Sequence, residues 1–174
     1  MSPTIEIGSI VVPRETVLEF DQEYETLEAS DFSRLADGTG VLRTAWTGKL
    51  RTLISGKGWA ASAFAGLAQG VAYTLKCAAP MPVDGASTSI TLPAARRSDS
   101  GHEPVGYAHM PDGRLIETPI IDIVSNLATL TAVTGAVGYR VEYLPQIIVK
   151  ILRNTCKYAQ ASNDFAWSIE AEEV

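Results

Sequence analysis

The stretch Val41 to Pro80, VLRTAWTGKLRTLISGKGWAASAFAGLAQGVAYTLKCAAP, decides the fold class. From Val41 to Leu50, Leu42, Thr44 and Trp46 alternate with Arg43, Ala45, Thr47 and Lys49. Successive side chains on a strand point to opposite faces, so this period of two predicts a strand. The alternation continues through Arg51, Leu53 and Ser55, as one long bent strand or as two strands around Gly48. Gly56-Lys57-Gly58 predicts a turn, because glycine tolerates positive φ. Ser55 to Gly58 lacks the spacing of a phosphate-binding loop and reads as an ordinary turn. Trp59, Ala63, Phe64 and Leu67 recur at helical spacing and Gly70 can stop a helix, which predicts one short α-helix flanking a sheet. Val71 to Ala78 alternates again and ends at Pro80.

Upstream, Thr4 to Val12 predicts a first strand ended by Pro13. Thr16 to Leu27 sets Leu18, Phe20, Gln22 and Tyr24 against Glu19, Asp21, Glu23 and Glu25. That predicts a half-exposed strand with an acidic face, with a short helix as the alternative. Asp37-Gly38 marks a hairpin. Downstream, Val83 to Asp112 holds a small strand, Ser87 to Leu92, and then Pro, Gly, Ser and charge. Residues 83–114 are therefore expected to form a long projecting loop or arm. His102 and His109 fall in it and read as exposed loop histidines, since no further metal donors accompany them. Leu115 to Val137 is apolar and β-branched. Pro119 argues against one continuous helix, while helix and strand pair both remain open for Ile120 to Leu130. Gly138 to Tyr143 alternates. Gln146 to Leu152 predicts a strand buried on both faces for most of its length, and Arg153 to Asn163 a polar loop. In Asp164 to Val174, Phe165, Trp167, Ile169 and Ala171 oppose Ala166, Ser168 and Glu170.

About eight or nine strands and one or two helices, without βαβ alternation, predict a mainly β chain. The expected architecture is an antiparallel β-sandwich or split barrel with one flanking short α-helix and a long projecting arm, in a single domain over residues 1–174. A net charge of −6 argues against a general nucleic-acid binder, which needs a basic stripe to neutralise phosphates. Cys77 and Cys156 are expected to be buried free thiols. No signal peptide is visible and no stretch approaches the ~20 apolar residues that span a bilayer, so folding in a reducing cytoplasm is expected. No nucleophile elbow, triad spacing or metal cluster stands out, and Ser100 and His102 lack an orienting partner. The chain is therefore expected to be no enzyme and to need no cofactor or metal.

LRTAWTGKLRTLISGKGW, YTLKCAAP, GYRVEYLPQIIVKI and the terminal DFAWSIEAEEV together resemble small tail proteins of long-tailed bacteriophages, in particular distal tail proteins of siphophages. The resemblance covers Val41 to Pro80 and Tyr139 to Val174. It implies a structural virion protein with a fold like that of the tail tube. Such a protein forms a ring, commonly a hexamer, in the virion tail after assembly in the host cytoplasm. The ring joins the tube to hub, tape-measure and fibre proteins, and duplex DNA passes transiently through its lumen, with no membrane insertion. A tube, tube-completion or tail-terminator protein would share the fold. Subunit-interface candidates are Glu23 and Glu25 facing a neighbour's Arg43, Lys49, Arg51 and Lys57, with Arg96, Arg97 and Arg114 in the arm reaching the next component. A different class, a carbohydrate-binding β-sandwich, would use Trp46, Trp59, Tyr107 or Trp167 as exposed sugar platforms. Under the tail reading, Trp46 and Trp167 should be buried.

Overall fold

A computed structural model describes residues 4–12, 17–58, 63–160 and 163–174. In chain order its strands are β1 (Glu6–Ile7), β2 (Ile10–Val11), β3 (Val17–Arg34), β4 (Gly40–Gly58), β5 (Ala72–Lys76), β6 (Met81–Gly85), β7 (Ser89–Thr91), β8 (Val105–His109), β9 (Leu115–Thr118), β10 (Ile120–Val124), β11 (Leu127–Leu130), β12 (Gly138–Tyr143), β13 (Gln146–Ala159) and β14 (Asp164–Glu173). The chain is mainly β with several antiparallel sheets and no closed barrel among the described residues, in keeping with a β-sandwich-like fold. It divides into two compact units: residues 1–6 with 75–147, and residues 7–74 with 148–174.

The first unit holds a four-stranded sheet, β6-β12-β8-β9, and a three-stranded sheet, β10-β11-β7. Its core gathers Ile90, Leu92, Ala108, Ala128, Leu130, Tyr139 and Val141, with Val83, Ile120 and Ile123 packed against them. The region expected to be an arm thus supplies β7, β8 and three core side chains. Its irregular part, residues 93–104, is anchored by Arg97, which is only 2% exposed. The ambiguity over residues 115–137 resolves as three strands. β10 and β11 join through Ser125 and Asn126, both at positive φ, the backbone a two-residue hairpin turn requires.

In the second unit, the order β2-β1-β5-β13-β14-β4-β3 defines a seven-stranded sheet. The predicted first strand is two short ones, because Gly8 turns the chain at φ 62°. β4 is one strand of 19 residues. Gly48, at φ 82°, sits unpaired where Leu27 faces Lys49 and Glu28 faces Thr47, a bulge that bends the strand without ending it. Gly56-Lys57-Gly58 continues β4 and does not turn. β13 runs on through residues 153–159, where a loop was expected, since β14 pairs with it as far as Ala159. β13 is also not buried on both faces: Val149 and Ile151 point inward, while Ile148 and Leu152 are exposed. Of the predicted helix, the described residues give one 3-10 turn, Ala63–Gly66. Its Phe64 ring meets Trp167 edge-on at 5.3 Å, and Trp59 lies outside the described residues. Cys77 is buried, but Cys156 is exposed; among the described strands the distal part of β13 has only β14 beside it.

Candidate functional site

Two features of the second unit stand out, and both follow from strand length. β14 pairs with β4 only over Arg51–Gly58, whereas β3 pairs with β4 from end to end. Beyond Arg51 the β3–β4 hairpin therefore continues alone as a two-stranded ribbon, residues 26–34 against 40–50. At the usual rise per residue it is about 30 Å long. A ribbon of two strands has no third element on which to bury side chains. Phe32 and Leu42 face one another across it and are 60% and 61% exposed, and Leu35 and Trp46 are open as well. Its turn is closed by Leu35 N donating to Thr39 O and Gly38 N to Leu35 O, both at 2.9 Å. Isolated hairpins are marginal in water; this ribbon is carried by the sheet it grows out of at Arg51.

The second feature is a charge lattice on one face of the sheet. Cross-strand pairing aligns Glu19, Lys57, Ala166 and Lys157 in one row and Asp21, Ser55, Ser168 and Thr155 in the next. Glu23, Leu53, Glu170 and Arg153 follow, and then Glu25, Arg51, Glu172 and Lys150. Acidic β3 thus lies beside basic β4, acidic β14 and basic β13. Arg51 takes the centre, 3.5 Å from Glu25, 3.7 Å from Glu170 and 3.4 Å from Glu172. Lys57 binds Asp164 at 3.1 Å. That hydrogen bond, then the Asp164 charge, raises the Lys57 pKa. Because Glu170 and Glu172 lean toward Arg51, the cations across from them on β13 go without partners. Among the described residues Lys150, Arg153 and Lys157 make no ion pair, and neither do Asp21 and Glu23. Across these four strands the face is acidic on β3 and basic on β13.

The expected interface residues fall as follows. Arg51 and Lys57 are engaged by carboxylates of their own chain, and Lys49 Nζ donates to Val174 O at 2.7 Å. Glu25 is held by Arg51, which leaves Glu23 open. Arg43 lies on the ribbon opposite Asp31. Arg97 is inaccessible to a neighbour. Its Nη1 donates to Thr4 O at 2.6 Å and Cys77 O at 3.0 Å, and its Nε and Nη2 grip Asp99 at 3.0 and 2.7 Å. The guanidinium holds the Asp99 carboxyl down to about 2. Arg96 donates to Pro93 O and Asn126 Oδ1, and Arg114 pairs with Asp112 at 2.6 Å. Of the partnerless cations on β13, Lys150 falls in the predicted strand, while Arg153 and Lys157 lie in the stretch read as a loop.

The histidines are tied to carboxylates. His102 Nδ1 lies 2.9 Å from Asp99 Oδ2, off the line of a hydrogen bond. His109 ends β8 instead of lying in a loop, and its Nε2 is 3.2 Å from Asp84. Arg140 grips the same Asp84 at 2.7 and 2.9 Å and depresses its pKa to about 2. Among the described residues no group of three or more His, Cys, Asp and Glu side chains could hold a metal ion. Trp167 is buried, whereas Trp46 is 46% exposed; it falls on the ribbon, where nothing packs over it. Compared with known proteins, the chain matches no family model, no curated protein and no solved structure.

Proposed function

We propose that this chain is a structural, non-enzymatic subunit of a ring at the tail tip of a long-tailed bacteriophage. In this reading the ring joins the tail tube to the hub and fibre proteins and surrounds the channel through which DNA passes. The observation that carries the reading is the ribbon. Evolution rarely leaves a two-stranded extension with Phe32, Leu35, Leu42 and Trp46 in water unless another surface covers it, since such patches mark protein contacts. The resemblance of the β4, β12–β13 and β14 sequences to tail-tip proteins gives that contact its setting. A tube, tube-completion or terminator subunit differs in position along the tail and uses the same surfaces. For the carbohydrate-binding alternative the two tryptophans divide. Trp167 is buried, as the tail reading requires, whereas Trp46 is exposed across from Ala29 on the ribbon, as a sugar platform would be.

Negative-stain electron microscopy of the purified, concentrated protein tests the reading. Closed rings with a lumen wide enough for duplex DNA are expected. Compact particles without a central opening contradict it.

A further inference from the structure

From the charge lattice we infer that copies of this chain join by pairing the free edge of β3 in one copy with the distal half of β13 in the next. The inference rests on the ring reading and supplies its lateral interface. Among the described residues neither edge has a further strand beside it. β3 ends the sheet, with β4 as its only neighbour. On β13, Cys77 N bonds Pro145 O and Gly70 N bonds Ile151 O, which brackets the five-residue β5 beside the proximal half. Among the described strands, residues 153–159 therefore have only β14 as a partner, and the bulge between Ile151 and Arg153 bends this half away from the rest. An exposed strand edge is a row of unpaired N–H and C=O groups, a template for another strand.

Direction and charge both fit. β13, β14, β4 and β3 are each antiparallel to the next, so a following β13 beside β3 continues the alternation. The rows already on the sheet then extend straight across the junction. In that register Arg153 meets Glu23, Thr155 meets Asp21 and Lys157 meets Glu19. On the opposite face Cys156 meets Phe20, while Asn154 comes level with Gln22 and keeps its own bonds to the Phe64 and Leu67 carbonyls. The lone cations of β13 gain the carboxylates that the chain itself leaves open. A shift of two residues would set Arg153 against Glu25, which Arg51 already holds, and would leave Glu23 opposite Thr155. The contact is heterologous: two different edges meet, so each copy offers one of each and the chain of contacts closes only as a ring or continues as a filament. Opposite charges at the two edges also disfavour β3 pairing with β3, because like charges directly opposite destabilise a sheet.

The test is a charge-reversal cycle read by sedimentation velocity and microscopy. Glu23 and Arg153 are both exposed, so each reversal leaves the fold intact, which circular dichroism verifies. Glu23→Arg and Arg153→Glu should each reduce assembly at least tenfold, and the double variant should restore most of it. The register is read separately by oxidising Phe20→Cys protein, in which the native Cys156 of the next copy is the expected partner. A ladder of disulfide-linked multimers is expected, with little in Gln22→Cys protein or the wild type. Rings that form equally well in all charge variants overturn this interface and leave the ring reading standing. A ladder from Gln22→Cys in place of Phe20→Cys overturns the register. A wild-type chain that stays monomeric at every concentration overturns both the interface and the ring.

Discussion

Arg97 offers the sharpest test of how the first unit holds together. The side chain is 2% exposed and its guanidinium satisfies the buried Cys77 carbonyl, the Thr4 carbonyl and the Asp99 carboxylate. Arg97→Met keeps much of the bulk and removes every donor. Two carbonyls then lose their partner, at about 1–3 kcal/mol each. The Asp99 side chain is 35% exposed and stays hydrated, so it adds little. The expected loss is about 3 kcal/mol, at the lower edge of what breaking a buried ion pair costs. For a chain of this size that lowers Tm by roughly 6–12 °C. Thermal unfolding followed by circular dichroism gives the figure. Hydrogen exchange should show the loss concentrated at residues 4–6 and around Cys77. A change below about 1 kcal/mol, or exchange that rises evenly over both units, would refute the claim that this arginine pins the N-terminal segment.

Three further outcomes are expected. Gly56→Ala places a Cβ on the Trp167 indole ring. Overpacking of this kind costs about 1–3 kcal/mol, and the Trp167 fluorescence should shift as the ring moves. Asp84 titrates at about 2 because Arg140 and, less strongly, His109 favour its charged form. Its folded pKa lies below the unfolded value, so its stabilisation is full above the ordinary carboxylate range and is lost as pH falls through about 2. Arg140→Ala should return Asp84 to the ordinary range in a carboxyl NMR titration; an unmoved titration refutes the pairing. Phe32→Ser with Leu42→Ser removes one cross-strand pair and the Phe32 ring that lies under Arg34. Monomer stability by urea unfolding should fall by no more than about 1 kcal/mol while assembly weakens. A large loss of stability would show that the ribbon is packed on its own chain.

The strands with a buried and a solvated face were legible, because period two reads directly off Phe20, Gln22 and Tyr24 in β3, and off Trp167, Ile169 and Ala171 in β14. What alternation cannot show is where a strand stops when neither face is buried. Residues 153–159 are polar because only one neighbour borders them, and polarity alone reads as loop. The acidic face of β3 was visible in the spacing of Glu19 to Glu25. Its full set of partners within the chain was not, since the row that holds Glu25, Arg51 and Glu172 joins the β3–β4 hairpin to β14, 121 residues beyond Arg51. Arg97 was invisible for a different reason: arginine is usually at the surface, and its burial depends on carbonyls at Thr4 and Cys77 that only the fold brings near. The predicted helix failed over its described part, where Gly66 and short side chains give one turn with a single aromatic anchor.

The central claim is that copies of this chain close on themselves. Native mass measurement over a concentration series tests it most directly. One closed species of fixed stoichiometry, six copies if the resemblance to tail-tip proteins extends that far, is the predicted result. A monomer at every concentration, or an open-ended ladder of masses, would contradict it.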